Sequence, residues 1–247
     1  MTIKTSKQIY SNYTTEDQKV WTILFSRIMQ MLPESADEMV LEGLRKIGFP
    51  ADHIPNFQEI NERLNIFTDW EIVPLEEMVD DKAFIGMLAG KKYPCRTWIR
   101  SMDQVDAEID EYDMFHDVIG HTPLLTRPNY CNYLQALGQL ALDYIDNDEA
   151  ISYLKRVYWH TIQFGLKAVN NELKVYGAHL LSSRGETAYS LSAGVPKYDL
   201  NIPVVIDTPY IKGRYQKKYF VINNYEELYN AIPLIQKEIK ERISRKA

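Results

Sequence analysis

The segment EYDMFHDVIGHTPLL, residues 111–125, limits the fold more than any other stretch, because it sets two histidines in an apolar helical pattern. On a regular helix, side chains five residues apart, as His116 and His121 are, point about 140° apart and share no face. Gly120 and Pro123 signal a helix end, after which His121 can turn back toward His116 and share a metal ion. Asp113 and Asp117 are close enough in sequence to orient ligand imidazoles, which metal-bound histidines usually require. The alternative is a pair of ordinary, partly buried histidines at a helix end. A two-histidine site also needs a further ligand, for oxygen-activating iron typically a carboxylate.

The surrounding chain reads as mainly α with a few short β-strands. Val20, Ile23, Leu24, Ile28, Met31, Met39, Leu41 and Leu44 recur at helical spacing between Glu16 and Lys46. Pro33, Ser35 and Asp37 predict a break inside that stretch, and Gly48-Phe49-Pro50 a stop. Further helices are expected over 56–65, 84–89, 104–119, 129–147, 149–169 and 225–246, the last interrupted near Pro233. Strand patterns are confined to 202–206 and 218–222. The predicted organisation is a polar N-terminal arm, residues 1–15, followed by one domain, residues 16–247.

Composition excludes several functions. A net charge of -6 provides no general field for phosphate backbones or anionic membranes, so no nucleic acid or membrane partner is expected. The only cysteines, Cys95 and Cys131, form no CxxC pattern, which suits a reducing compartment. The N-terminus lacks the apolar core of a signal peptide, and no apolar run is long enough to span a bilayer. A cytoplasmic chain is expected. No sustained heptad follows the core, so a monomer is expected.

FHDVIGHTPLL closely resembles the metal-binding segment of the aromatic amino acid hydroxylases, especially the short bacterial phenylalanine 4-hydroxylases. The likeness continues through VWTILFSRIMQML, LEGLRKIGFPADHIPNFQEINERL, YPCRTWIR, YWHTIQFGL, VYGAHLLSSRGETAYSL and TPYIKGRYQKKYFVINNYEEL, in the family's order. It covers about Trp21 to Leu228 and implies an aromatic amino acid hydroxylase-type catalytic domain. It also implies mononuclear Fe(II), a tetrahydropterin that supplies electrons, dioxygen, and ring hydroxylation of a phenylalanine-like amino acid. By this resemblance His116 and His121 are the metal histidines, Arg100 binds the substrate carboxylate and Glu186 holds Arg100. Ser182, Tyr158 and Trp159 match residues lining the substrate region, and Phe84 the aromatic that stacks on the pterin. Asp117, in the same alignment, is assigned to the pterin side.

Several positions depart from the family pattern. The glutamate expected as third metal ligand is Gln163, a neutral and weaker donor. Two histidines are added, His160 three residues before it and His179 where the family has glycine in YGAGLLSS. Either can replace the lost carboxylate and give a three-histidine site, which would favour metals other than iron, copper included. The expectation is that one of them approaches the metal more closely than Gln163 does. The pterin loop, VPGL-like in the family, reads VPLEEMVDDKAF, with Glu76, Glu77, Asp80 and Asp81 added, so weak pterin affinity is expected. Tyr112 replaces the family's proline in EPD and should reshape the substrate pocket. Beside the hydroxylase reading stand a pterin-independent metal oxygenase or oxidase and a non-catalytic amino-acid- or metal-binding relative.

Overall fold

The computed structural model describes residues 7–77, 79–107 and 111–245. Residues 1–6 of the expected arm, Met78 of the acidic loop, 108–110 of the expected 104–119 helix and the last two residues lie outside that description.

Two long helices open the domain. Thr14 caps α1 (Thr15–Ser35) in a reciprocal capping box with Asp17. The break expected near Pro33 falls after Ser35, where Asp37 caps α2 (Glu38–Ile47) by accepting from Met39 N. Gly48 ends α2 in the left-handed conformation, φ 62°, which a side chain would strain. Asn56 caps α3 (Phe57–Leu64). Residues 7–15 are fastened to the domain: Tyr10 Oη donates to the Ile54 carbonyl at 2.5 Å and Tyr13 Oη to that of Thr97 at 2.8 Å.

The next elements were not legible as strands. β1 (Glu71–Leu75) pairs in parallel with β2 (Lys92–Arg96), joined by α4 (Asp81–Ala89). This crossover delivers Arg96 and, just beyond it, Arg100 to the centre of the molecule. The helix expected over 104–119 is not formed at its start. A short turn, Met102–Gln104, is followed by non-helical residues 105–107, and among the described residues beyond 110 helical structure begins at Met114.

A wide turn (His116–His121) then leads into α5 (Thr122–Leu125), α6 (Pro128–Leu142) and α7 (Asp148–Tyr158). The helix expected over 149–169 is shorter. It widens at Trp159–Gln163 and gives way to β3 (Leu166–Val169), which forms a hairpin with β4 (Glu172–Val175). Two short helices follow, α8 (Ala178–Ser182) and α9 (Arg184–Leu191), then β5 (Lys197–Asp199).

Residues 202–206, expected as a strand from their β-branched run, form α10 (Ile202–Asp207) instead. Asn201 accepts from Val204 N, and Pro203 occupies the first turn, where its missing N–H costs nothing. β6 (Tyr219–Ile222) completes a sheet of order β4-β3-β6-β5, and α11 (Glu226–Asn230) and α12 (Ile232–Ser244) close the chain. One large apolar core unites all these layers. Among the described residues, no helix is long and apolar enough to cross a membrane.

Candidate active site

Both segments that carry the expected metal donors are π-helical turns: His116–His121 and Trp159–Gln163. In the second, Phe164 N donates to the Trp159 carbonyl, five residues back, at 2.9 Å. A π-turn brings positions five apart onto one side of the helix. His116 and His121 therefore converge without the helix end expected at Gly120, their ring centroids 5.3 Å apart. Gly120 has a different job. A Cβ there would lie 2.6 Å from the Ala178 carbonyl oxygen, so its absence lets α8 pack on the turn and brings Ser182 to His116.

The donor atoms are specific. His116 Nδ1 donates to Ser182 Oγ at 2.8 Å, and Ser182 Oγ lies 3.1 Å from the His179 carbonyl to which it donates. This leaves Nε2 of His116 as the lone-pair nitrogen, and it is buried with no hydrogen-bond partner. His121 stacks on Tyr93, centroids 4.2 Å apart, and its Nε2 faces the Gln163 amide at 3.3 Å. Gln163 Oε1 is likewise buried and unpaired, and a half-turn of the amide exchanges it with Nε2. Donors bound about 2.1 Å from a metal on adjacent octahedral corners stand about 3.0 Å apart. The 3.3 Å between His121 Nε2 and the Gln163 amide fits that spacing, and the unpaired Nε2 of His116 sits on a ring 5.3 Å from that of His121. Burial first, then the nearby His121, His179, Arg96 and Arg100 charges, holds His116 well below the ordinary imidazole range. Burial and Arg96 do the same for His121, so both rings are neutral, the form that binds metal.

The two added histidines have other partners, although His179 stays within the site, its ring 6.2 Å from that of His116. His160 Nε2 donates to the Thr208 carbonyl at 3.0 Å, and its ring meets Phe220 edge-on. Burial lowers its pKa to about 4. His179 Nδ1 is 3.1 Å from the Tyr112 hydroxyl and Nε2 is 2.8 Å from Glu186 Oε2. Among the described residues, no three His, Cys, Asp or Glu side chains are grouped to hold a metal. The three-histidine expectation is therefore corrected: Gln163, not His160 or His179, stands beside His121.

A second correction concerns the arginine. Arg100 is held by Asp113, not by Glu186. Its Nε and Nη2 donate to the two carboxylate oxygens at 2.8 and 3.1 Å. Asp113 also accepts from the backbone N of Arg100 and of His116, each at 3.1 Å. Glu186 instead accepts from Tyr219 Oη at 2.7 Å and Gln216 N at 2.9 Å and sits against His179. Asp117, expected to orient an imidazole or face the pterin, is bound by Arg96. Arg96 Nη1 donates to both its oxygens at 2.8 Å, and Arg96 N to Oδ2 at 2.9 Å. Burial pushes the Asp117 pKa up to about 6 against the opposing pull of Arg96. Arg96, the pairing of Asp113 with Arg100 and the orienting role of Ser182 escaped the sequence reading. The one available signal was an acid three residues before His116.

Three cavities surround these groups. The first, about 490 Å³, is lined by Arg100, His116, His179 and Ser182. The second, about 580 Å³, is lined by Glu76, Glu77, Trp159, Phe164, His179 and Glu186. The third, about 290 Å³, is lined by Phe84, Tyr93, Tyr158, Trp159, Asp117 and Gln163. Phe84 packs edge-on against Tyr158 and Tyr93, at 5.5 and 6.3 Å. Trp159 stacks on Tyr210 at 4.4 Å. Two of the four loop acids have structural partners: Asp80 caps α4 through Ala83 N, and Asp81 pairs with Lys155 at 2.9 Å. Glu76 and Glu77 remain exposed.

A mainly helical domain with two histidines and a side-chain amide beside an arginine-lined cavity is consistent with the non-haem metal-dependent oxygenase domains. The family of biopterin-dependent aromatic amino acid hydroxylases matches residues 1–246, and the chain belongs to it. The chain is 36% identical over 228 residues to phenylalanine-4-hydroxylase of Ralstonia nicotianae, covering 92% of this chain and 72% of that protein. It is 34% identical to phenylalanine-4-hydroxylase of Chromobacterium violaceum, covering 92% and 76%. The structure of Chromobacterium violaceum phenylalanine hydroxylase with bound oxidised Fe(III) superposes with a TM-score of 0.92 at 33% identity, covering 97% of this chain and 87% of that one. The cobalt-bound form gives 0.91 at 32% identity, covering 96% and 86%. The protein is an aromatic amino acid hydroxylase, a monooxygenase.

Proposed function

We propose that this chain hydroxylates the ring of a free, phenylalanine-like amino acid at a single metal ion held by His116, His121 and Gln163. The observation that carries the reading is the set of buried, unpaired donors, His116 Nε2 and Gln163 Oε1, beside His121 Nε2. Bound iron supplies the redox centre at which dioxygen is activated with electrons from a tetrahydropterin, as the family implies; relatives have been solved with Fe(III) and with cobalt.

The chain's own residues do the rest. Asp113 occupies Nε and Nη2 of Arg100, which fixes the guanidinium plane and leaves its outer edge toward the first cavity for a carboxylate. Ser182 sets the tautomer of His116. Trp159 and Phe164 supply aromatic walls for a ring. Phe84 offers a face in the third cavity, suited to a flat pterin. The capping and pairing of Asp80 and Asp81 leave only Glu76 and Glu77 to oppose it. The net charge of -6 and the free, buried Cys95 and Cys131 support a cytoplasmic protein without nucleic acid or membrane partners. The absence of a heptad pattern supports a monomer.

The test is metal stoichiometry. Purified protein is expected to bind one Fe(II) or Co(II) per chain, and H116A and H121A to bind none at equal concentrations. Undiminished stoichiometric binding in both variants would refute the site.

A further inference from the structure

Tyr112 alone lines all three cavities, and it is bound there much as a ligand would be. Its ring stacks on His116 with centroids 3.6 Å apart and planes 11° apart, and tilts against Trp159 at 5.9 Å. Its hydroxyl stands 3.1 Å from His179 Nδ1. Behind His179, Nε2 is 2.8 Å from Glu186 Oε2, a charge proximity without hydrogen-bond geometry, while Glu186 Oε1 is pinned by Tyr219 and Gln216. With the proton on Nε2, the side facing the Glu186 carboxylate, Nδ1 accepts and the Tyr112 hydroxyl donates. In that tautomer His179 is an acceptor that already holds a phenol.

The arginine cavity and the aromatic cavity share Tyr112, His179 and Tyr215. A side chain anchored by its carboxylate at Arg100 that reaches past the Tyr112–His179 contact toward Trp159 and Phe164 displaces the Tyr112 hydroxyl. Displacement by a phenyl ring strands the His179 acceptor, whose side chain is only 15% exposed. Displacement by a phenol restores the bond. A site built to hydrogen-bond a substrate hydroxyl rejects the analogue lacking it far more strongly than an apolar pocket rejects an added hydroxyl.

We infer that His179, backed by Glu186, is a specificity-determining acceptor selecting aromatic amino acids whose ring carries a hydrogen-bond donor, a phenol, over an unsubstituted phenyl. The inference deepens the proposed function and rests on Arg100 as the carboxylate anchor.

The experiment measures dissociation constants by calorimetry for two matched pairs, L-tyrosine with L-phenylalanine and p-cresol with toluene. Wild-type protein is expected to bind the phenol of each pair about tenfold more tightly. His179→Gly should bring both ratios close to one. Tyr112→Phe, which removes the competing hydroxyl, should tighten p-cresol severalfold, and it keeps the test decisive if His179→Gly does not fold. Arg100→Ala should weaken both amino acids and leave the p-cresol to toluene ratio unchanged. Ratios near one in the wild type, ratios that survive His179→Gly, or unchanged p-cresol affinity in Tyr112→Phe would overturn the assignment. If the cresol pair behaves as expected while neither amino acid binds, the acceptor stands and the Arg100 anchor fails.

Discussion

Arg100→Ala is expected to lower stability by about 3–5 kcal/mol and amino-acid affinity by roughly ten- to a hundredfold. The first figure is that for removing one partner of a buried ion pair and leaving the other charge uncompensated. Asp113 is fully buried and loses its 2.8 and 3.1 Å partners. Two backbone N–H groups remain on it, which places the loss toward the lower end of that range. The affinity loss follows from a charge-assisted contact worth about 1.5–3 kcal/mol. Arg100→Lys should recover little of either, because an ammonium cannot fork across both oxygens of Asp113. Denaturant melts and amino-acid calorimetry check the two effects separately. A variant with wild-type stability and wild-type affinity would remove Arg100 from the site.

Gln163→Glu should tighten Fe(II) or Co(II) binding by about tenfold or more. The wild-type set has three neutral donors, and a carboxylate adds an anionic oxygen where the metal charge is concentrated, in surroundings that screen it poorly. Without metal the same carboxylate is buried beside two neutral imidazoles and costs stability. The metal-free variant should therefore melt below wild type, and saturating metal should raise its melting temperature by more than it raises that of wild type. Competition against a chelator of known affinity gives the first number and melting curves with and without metal give the second. Equal metal affinity in the two proteins would show that residue 163 is not a ligand.

The elements that sequence made legible are those whose signals are local. Helical spacing located α1 and α2, with Asp37 marking the start of α2, and the structure adds the local caps Thr14 and Asn56, each acting within three residues of itself. The β1–β2 pair was missed because its strands are short, contain Pro74 and Pro94, and find each other across the intervening α4. The run Ile202-Pro203-Val204-Val205-Ile206 was read as a strand from β-branched content, but the Asn201 cap decided it. The two π-turns could not be read at all, since a 3.6-residue period assumes the geometry they depart from.

At the site, family resemblance placed His116, His121, Gln163 and Arg100 in one region, yet it could not say which groups bond. Ser182 reaches His116 from 66 residues away, and Glu186, aligned as the partner of Arg100, is taken by His179 and Tyr219. Counting histidines also misled, because His160 finds the Thr208 carbonyl at the end of α10, while Gln163 is the side chain beside His121. Long-range pairing depends on the packed fold, and no sequence window contains it.

The most direct measurement is turnover of L-phenylalanine and L-tyrosine by the iron-loaded chain, with dioxygen, in the presence and absence of tetrahydropterin. Ring-hydroxylated product is expected only with tetrahydropterin present, one product per pterin oxidised, and none from H116A or H121A loaded in the same way. Equal product formation without tetrahydropterin, or from both histidine variants, would contradict a pterin-coupled hydroxylation at the metal held by His116, His121 and Gln163.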